Sequence, residues 1–434
     1  MSSASSIGGG VSGVSGIGGG VSGVSGVYDY IIIGAGIAGL YSAYLIKKRT
    51  PGAKILILEK ESYIGGRAYN AMFEGVNVVC GAGVGRKEKD ILLQELIKDL
   101  HVKYNEFPAK HSYASGVSHQ MDFWFNSLHK VAKQIPPWPR MNFKHFATQV
   151  IGVKDYPKFV VASGYSDFEL ADSNDVMNFY GMDDNFKPWT AIGIDWKVLG
   201  ETLTKYIGRR HIKLNMPVHK ITPENDNGII KVQCGHGSGG VHSGVFKTRK
   251  CIVAADIDAL RKLFPKERVY SEIKSQPFLR IYAKFSQETS AVLGTKVHGL
   301  TVVNGPLQEI IPMDPGKGVY MIAYSDNASA KKLHKIQKLD KEEQYRYFEK
   351  TVAKALNIPS HLLINGISAL QYHYWPIGTH YNKVLGKQYA DRYEFVEKAQ
   401  HPMPGVYVVG EVVALHQGWV EGALESVNEI RGVL

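Results

Sequence analysis

The stretch from Tyr28 to Lys60 constrains the fold of this chain more than any other. It contains "YDYIII", a glycine-rich turn "GAGIAG", then "LYSAYLIKKR" and "KILILEK", in that order. The first and last of these are short continuous apolar runs, which are typical of buried parallel strands, and the third favours a helix with one apolar face. Two parallel strands need a crossover connection, which is usually a helix. The stretch therefore predicts a βαβ unit within an α/β fold.

The turn between the first strand and the helix matches the pattern G-x-G-x-x-G through Gly34, Gly36 and Gly39. Gly34 permits the tight turn, Gly36 lets backbone N–H groups approach a pyrophosphate, and Gly39 allows the helix to pack closely on the strand. The N-terminus of the helix, where Ala38 lies, offers partial positive charge to the phosphates. The turn and its helix therefore predict a dinucleotide site.

Two further features support this site. Glu59 ends the second strand, 20 positions after the last glycine of the turn, where a carboxylate can accept hydrogen bonds from ribose hydroxyls. We include its neighbour Lys60 in the same site. The sequence "GGR" follows at Gly65, Gly66 and Arg67. Two glycines allow another close approach of the backbone, and the arginine can neutralise a phosphate or reach flavin oxygens.

The overall composition argues against several other classes of protein. The chain has 434 residues, 44% of them apolar, which suits two or three domains with substantial cores. No apolar run reaches 18 residues, so we expect no transmembrane helix. Cys80, Cys234 and Cys251 are far apart, which predicts neither a disulfide framework nor a metal site and fits a reducing, cytoplasmic compartment. The net charge is +11, but the basic residues are scattered, so nucleic acid is the least favoured partner.

The first 26 residues differ in composition from the rest. The decapeptide "IGGGVSGVSG" occurs at residues 7–16 and again at 17–26. A segment this poor in large side chains cannot offset its ordering entropy, so we expect residues 1–26 to form a disordered Gly/Ser/Val tail. The tail lacks the basic start and the apolar centre of a signal peptide. A role as a tether or in packaging stays open.

The C-terminal part of the chain points to a family. "GVYVVGEVVALHQGWVEGALESVNEI", Gly405 to Ile430, predicts a strand, an acidic turn and a helix. Together with the glycine turn and the "GGR" sequence, it resembles the FAD-dependent amine oxidases, which include monoamine, polyamine and L-amino-acid oxidases. A middle block, "IKLNMPVHKI", is similar to the family segment in which the backbone beside Val218 would contact adenine. The stretch "GAGVGRKEKD" is also similar to amine oxidase-like proteins of large DNA viruses, which leaves virion association open.

The resemblance implies FAD as the cofactor and assigns residues to it. Glu411 would accept hydrogen bonds from FAD hydroxyls, and Gly410 would allow backbone contact with the pyrophosphate or ribitol. Trp419, Val420 and Ala423 begin the last helix, whose positive end would face the flavin. The segment "YHYWPIGTHYNKV" corresponds to the region that carries the covalent flavin in monoamine oxidases, and it contains no cysteine. The resemblance therefore implies noncovalent FAD.

The resemblance also implies three catalytic residues. Trp419 and Phe278 would form aromatic walls that orient an amine before the flavin. Arg280 stands where polyamine and monoamine oxidases carry a lysine. An arginine is always charged and cannot cycle a proton as a lysine does, which leaves open whether fast reaction with oxygen is retained. If the register of this strand differs, Lys284 takes the position of the family lysine. Arg86 is either a contact for a substrate carboxylate or an ordinary surface arginine.

The sequence thus predicts the two-domain architecture of the amine oxidases, with a discontinuous, Rossmann-like FAD-binding domain and an α+β substrate domain. We predict residues 27–85, 205–271 and 396–434 for the first domain and 86–204 and 272–395 for the second. The expected reaction is oxidation of a small amine by hydride transfer to flavin N5, with oxygen giving hydrogen peroxide. Two alternatives stay open: another flavin dehydrogenase or desaturase on the same scaffold, and a catalytically weak flavoprotein with a structural or binding role. The particular substrate and the oligomeric state, a homo-oligomer included, also stay open.

Overall fold

The structure is a computed structural model that describes residues 26–134, 140–224, 228–235 and 244–434. The predicted tail, residues 1–26, lies outside the described residues but for its last one. In chain order, the strands of the described ranges are β1 (Val27–Ile33), β2 (Ile55–Leu58), β3 (Asn70–Phe73), β4 (Val76–Val79), β5 (Gly85–Arg86), β6 (Tyr104–Ala109), β7 (His111–Tyr113), β8 (Trp189–Ile194), β9 (Ile212–Lys213), β10 (Val218–Glu224), β11 (Ile229–Cys234), β12 (Gly244–Val253), β13 (Ile273–Phe285), β14 (Leu300–Val302), β15 (Glu309–Asp314), β16 (Val319–Asp326), β17 (Ile367–Asn382) and β18 (Val406–Val408).

The helices connect these strands and cover the sheets. In chain order they are α1 (Ile37–Arg49), α2 (Ile91–Asp99), α3 (Met121–Gln134), α4 (Phe143–Ile151), α5 (Tyr156–Ala162), α6 (Ser173–Phe179), α7 (Trp196–Ile207), α8 (Ile257–Leu263), α9 (Gln287–Gly294), α10 (Asn327–Ile336), α11 (Lys341–Leu356), α12 (Arg392–Gln400) and α13 (Val420–Glu429). Within the described ranges, each helix is too short or too polar to span a bilayer.

The largest sheet has the strand order β10-β11-β12-β1-β2-β9, and β18 also pairs with β12. The strands β9, β2, β1, β12 and β18 are parallel, whereas β10, β11 and the start of β12 form an antiparallel meander. The carboxyl ends of the five parallel strands therefore lie at one edge of the sheet. In open α/β sheets this edge is where ligands bind. The predicted βαβ unit is present as β1, α1 and β2.

Two apolar clusters cover the faces of this sheet. The helices α1, α2, α7 and α13 pack on one face, and the meander with α8 and α12 forms the cluster on the other. The helices α2 and α7 contribute Leu93 and Leu199, which are fully buried there. The range 86–204, which the sequence analysis assigned to the second domain, thus supplies part of the core of the first, because the apolar faces of α2 and α7 meet α1 and α13.

The second domain is built on a sheet of order β17-β13-β16-β15-β14-β7. The helices α3 to α6 and α9 to α11 share its apolar cluster, so this part of the chain is α+β as predicted. Successive side chains of a strand point to opposite faces. On β13, Leu279 and Ile281 therefore join the domain core, while Phe278 and Arg280 face the other way.

Candidate active site

A cavity of about 580 Å³ lies between the carboxyl edge of the large sheet and the second domain. Residues of both domains line it, which fits the general tendency of small-molecule sites to occur between domains. The predicted site residues that line this cavity are Gly34, Gly36, Ala38, Glu59, Lys60, Gly65, Gly66, Arg67, Val218, Phe278, Arg280, Gly410, Glu411, Trp419, Val420 and Ala423. Gly39, the remaining predicted site residue, does not line the cavity.

The glycine turn has the geometry that its pattern predicts. A Cβ on Gly34 would lie 2.3 Å from the carbonyl oxygen of Ala254, and one on Gly39 would lie 2.0 Å from that of Gly34. Gly39 therefore serves close packing rather than ligand contact. A Cβ on Gly36 would meet nothing within 4 Å, so the turn is open to the cavity at this residue. Gly36 is also the N-cap of α1 and offers no side chain to the free N–H groups of that helix.

Glu59 lies at the end of β2, next to this turn. Its Oε2 accepts from the N–H of Ala35 at 2.6 Å, and its Oε1 accepts from the N–H of Glu61 at 2.9 Å. Burial raises the pKa of Glu59, and the two backbone donors partly offset this effect. Lys60, the next residue, pairs with Asp256 at 3.4 Å. Each carboxylate oxygen of Glu59 keeps a lone pair for a ligand hydroxyl.

Glu411 follows β18 and joins three segments of the chain. Its Oε2 accepts from Arg67 at 3.1 Å and faces Nδ1 of His380 at 2.6 Å, while its Oε1 accepts from the N–H groups of His380 and Gly418, both at 2.8 Å. Burial alone would raise the pKa of Glu411, but His380 and Arg67 oppose it and hold the pKa at about 2. Arg67 also donates to the carbonyl oxygen of Gly378 at 2.6 Å. Glu411 is therefore an ionised anchor between these segments, and the sequence analysis missed its partner His380.

Trp419 immediately precedes α13. Its Nε1 donates to Oδ2 of Asp90 at 2.7 Å, and its ring meets that of Trp196 edge-on, with 6.1 Å between centroids. Asp90 is fully buried and accepts further hydrogen bonds from the backbone and the guanidinium of Arg86. Arg86 also pairs with Asp184 at 2.9 Å and does not line the cavity. This engagement argues against Arg86 as a substrate contact, and it gives Arg86 a part in fixing the orientation of Trp419.

Aromatic residues form the wall that the second domain contributes. Phe278 and Tyr324 have ring centroids 5.9 Å apart, and Tyr374 and Trp375 lie on the neighbouring strand β17. Trp375 donates through Nε1 to the carbonyl oxygen of Cys80 at 2.8 Å, which ties this wall to the first domain. The sequence analysis singled out Phe278 but neither tyrosine, because aromatic residues on buried strands give no signal of their own.

Arg280 is the charged residue of this wall and is 4% exposed. Its Nε donates to the carbonyl oxygen of Gly81 at 3.0 Å, its Nη1 contacts Sδ of Met321 at 3.4 Å, and its Cζ lies 3.8 Å from the ring centroid of Tyr324. Among the described residues, Nη2 finds no hydrogen-bond partner. Lys284, on the same strand, does not line the cavity.

The donors at the sheet edge suit a dinucleotide. The open turn at Gly36 leaves room for phosphates beside the N-terminus of α1, and Arg67 lies on the same cavity wall. The N-terminus of α13 also borders the cavity, through Trp419 and Val420. Glu421, in the first turn of this helix, instead accepts hydrogen bonds from the backbone N–H groups of Leu92 and Leu93 in α2. In the described part of the chain, no three His, Cys, Asp or Glu residues form a group that could hold a metal ion.

Comparison with protein families agrees with this geometry. The chain matches the model of the flavin containing amine oxidoreductases over residues 189–427 and that of the NAD(P)-binding Rossmann-like domains over residues 32–100. The first match covers more than half of the chain. The chain therefore belongs to the flavin containing amine oxidoreductases. It is an FAD-dependent amine oxidase-like oxidoreductase, which confirms the predicted cofactor and fold class.

The individual relatives share little sequence identity with this chain. The chain is 22% identical, over 483 residues, to an uncharacterized protein of Acanthamoeba polyphaga mimivirus, with 93% of this chain and 92% of that protein covered. A double mutant of putrescine oxidase shares the fold with a TM-score of 0.73, 15% identity, and coverage of 93% of this chain and 98% of that one. Cyclohexylamine oxidase from Brevibacterium oxydans has a TM-score of 0.72, 16% identity, and coverage of 94% and 98%.

Proposed function

We propose that this protein oxidises the C–N bond of an amine by hydride transfer to FAD, with oxygen as the final acceptor and hydrogen peroxide as a product. One observation carries the proposal. The same cavity is lined at one end by the dinucleotide turn and at the other by aromatic residues and a buried cation of the second domain. A dinucleotide and a small amine would therefore share one cavity.

The predicted cofactor residues supply the contacts that hold FAD in this proposal. The turn at Gly36 and the N-terminus of α1 would bind the pyrophosphate through backbone N–H groups. Glu59 would accept hydrogen bonds from ribose hydroxyls with its remaining lone pairs. The backbone at Val218, at the start of β10, would contact adenine. Glu411 would act mainly by holding Arg67 and the loop before α13 in place, since both its oxygens already accept hydrogen bonds within the protein.

The protein's part in the reaction is orientation and exclusion of water. When bound, FAD supplies the acceptor for the hydride and the subsequent reaction with oxygen. Phe278 and Trp419 provide flat apolar walls for the substrate, and the hydrogen bond to Asp90 keeps the second of them in one orientation. The buried charge of Arg280 disfavours another positive charge nearby. It therefore favours the neutral amine, which is the form that can release a hydride.

Arg280 also supports a second candidate function, a flavin dehydrogenase that reacts slowly with oxygen. The polyamine and monoamine oxidases that the sequence resembles carry a lysine at this position. A guanidinium cannot exchange a proton with water as an ammonium does. This candidate predicts substrate-dependent reduction of a dye acceptor at a rate well above that of peroxide release. Amine oxidation with peroxide equal to the amine consumed supports the leading proposal.

Anaerobic titration of the FAD-loaded protein with a panel of amines tests the proposal. We expect loss of the flavin absorbance with one class of amine, followed by recovery of the absorbance and release of peroxide when air is admitted. Dithionite serves as the control that the flavin is reducible. If dithionite bleaches the flavin and none of the amines does, the proposed amine oxidation is wrong.

A further inference from the structure

A short segment between β4 and β5, residues 79–83, connects the cofactor side of the cavity to the second domain. Its sequence is "VCGAG", and Gly81 and Ala82 line the cavity. The segment packs directly on a predicted cofactor residue, because Ala82 donates its N–H to the carbonyl oxygen of Arg67 at 2.8 Å. A Cβ on Gly81 would lie 2.1 Å from the same oxygen. A displacement of this segment would therefore also displace the backbone of Arg67.

Side chains from other parts of the chain hold the carbonyl oxygens of this segment. Three consecutive oxygens accept from the second domain: Val79 from the hydroxyl of Tyr282 at 2.6 Å, Cys80 from Nε1 of Trp375 at 2.8 Å, and Gly81 from Nε of Arg280 at 3.0 Å. These donors lie on the paired strands β13 and β17. From α7, Trp196 donates through Nε1 to the oxygen of Gly83 at 2.8 Å. Donors that are distant in sequence therefore fix the direction of these peptide groups.

Arg280 contacts this segment at two places. Its Nε donates to the carbonyl oxygen of Gly81, and a Cβ on Gly83 would lie 3.3 Å from its Nη2. One face of the guanidinium lies against the ring of Tyr324, with 3.8 Å from Cζ to the ring centroid. A lysine has a methylene group at the position of Nε and could not donate to Gly81 from there. The guanidinium of Arg280 is therefore engaged in holding the segment.

We infer that Tyr282, Trp375 and Arg280 are positioning residues of the cofactor site. They hold residues 79–83, and with them the backbone of Arg67, in the arrangement that binds FAD. A backbone carbonyl oxygen that loses its donor makes that arrangement less favourable, so the segment would move away from it more often. The second domain thereby becomes part of the cofactor site. The inference goes beyond the proposed reaction and holds whichever substrate the protein oxidises.

Tyr282→Phe tests this inference, and Tyr270→Phe is its matched control. Each of these two tyrosines is 0% exposed, and neither lines the cavity, so each substitution removes one hydroxyl and no contact with a bound ligand. Tyr270 also donates to a backbone carbonyl oxygen, that of Ala399 at 2.7 Å, but far from residues 79–83 in the chain. The two variants therefore lose the same kind of hydrogen bond, and we expect similar falls in Tm.

Two rates are measured on the FAD-loaded proteins. The first is hydrogen exchange of the amides of Cys80 and Ala82, which donate to the carbonyl oxygens of Tyr69 and Arg67. The second is the release of FAD after dilution, followed by flavin fluorescence. We expect Tyr282→Phe to raise both rates about fivefold, since one hydrogen bond no longer opposes movement of the segment. Tyr270→Phe should leave both rates within about twofold of those of the unmodified protein.

Trp375→Phe removes the neighbouring donor and should have the same two effects. It replaces Tyr282→Phe if that variant does not fold. The inference is wrong if Tyr282→Phe releases FAD no faster than Tyr270→Phe, even where the exchange rates differ. No amine is used in these measurements, so their outcome is independent of the proposed function. Bleaching by an amine together with equal FAD release would leave amine oxidation standing and remove the positioning role.

Discussion

Replacing Glu411 tests the idea that this buried carboxylate joins the segments around the cofactor. Glu411→Gln keeps the shape of the side chain and removes its charge. The carboxylate accepts from Arg67, from the backbone of His380 and Gly418, and faces the ring of His380. Nε2 of His380 accepts from the N–H of Ile257, so Nδ1 carries the proton that points to Glu411. The amide of glutamine would present an NH₂ group to some of these donors.

The pKa of Glu411 gives the size of the expected effect. A fall from the ordinary 4.5 to about 2 corresponds to about 3 kcal/mol of stabilisation by the ionised form, at 1.36 kcal/mol per unit of pKa. Because the folded pKa lies below the ordinary one, this contribution is present above pH 4.5 and is lost as the pH falls from 4.5 towards about 2. With an unfolding entropy of about 2.1 cal/mol/K per residue, the loss lowers the Tm of a 434-residue chain by about 3 °C at pH 7.

Thermal unfolding of the FAD-loaded protein measures this effect, with flavin fluorescence to report release of the cofactor. Glu425→Gln is the matched control, because Glu425 also pairs with a histidine, His416, but the two side chains are 31% and 46% exposed. We expect the control to change the unfolding free energy by less than about 1 kcal/mol. The reasoning is refuted if both variants lose the same stability. It is also refuted if the deficit of Glu411→Gln stays constant as the pH is lowered from 7 to 3.

Three further predictions concern the same cavity. Gly39→Ala would place a Cβ 2.0 Å from a carbonyl oxygen and should abolish stable folding. The Cβ of Gly36→Ala would meet nothing within 4 Å, so this variant should only weaken FAD binding. Equal effects of the two substitutions on the Tm of the flavin-free protein would contradict this. Asp90→Asn should lower the unfolding free energy by about 3 kcal/mol and raise the KM for the amine through Trp419. Asp183→Asn, at a half-exposed ion pair, is its control, and equal losses would count against the role of Asp90. Acid precipitation should release all of the FAD into the supernatant; yellow colour in the pellet would show a covalent bond.

The parts of the site that could be predicted from the sequence are those with local signals. The glycines of the turn and Glu59 lie on one βαβ unit, and each has a conformational or hydrogen-bonding reason at a fixed spacing. Local steric constraints of this kind survive in almost any tertiary context. The Rossmann-like domain and FAD therefore followed from short stretches of sequence, once the resemblance of the C-terminal block was added.

The other parts depend on contacts between distant residues. Asp90 reaches Trp419 across 329 positions of sequence, and His380 reaches Glu411 across 31 positions. The sequence around a single aspartate or histidine does not indicate such a distant partner. The range 86–204 also looked like a separate helical excursion, because the apolar faces of α2 and α7 do not reveal which sheet they cover. The roles of the site residues and the domain bounds remain predictions.

The pairing of β18 with β12 has a consequence for how the holoprotein is made. Glu411 and the N-terminus of α13 follow β18, so the part of the cavity that they line is missing until β18 has paired with β12. A chain in which β18 has not yet paired with β12 has an incomplete cofactor site, and domains fold as units once their parts are available. Cofactor binding therefore waits for the docking of this strand. The yield of active protein should then depend on the flavin present when the strand docks, and adding FAD to flavin-starved extracts should restore it.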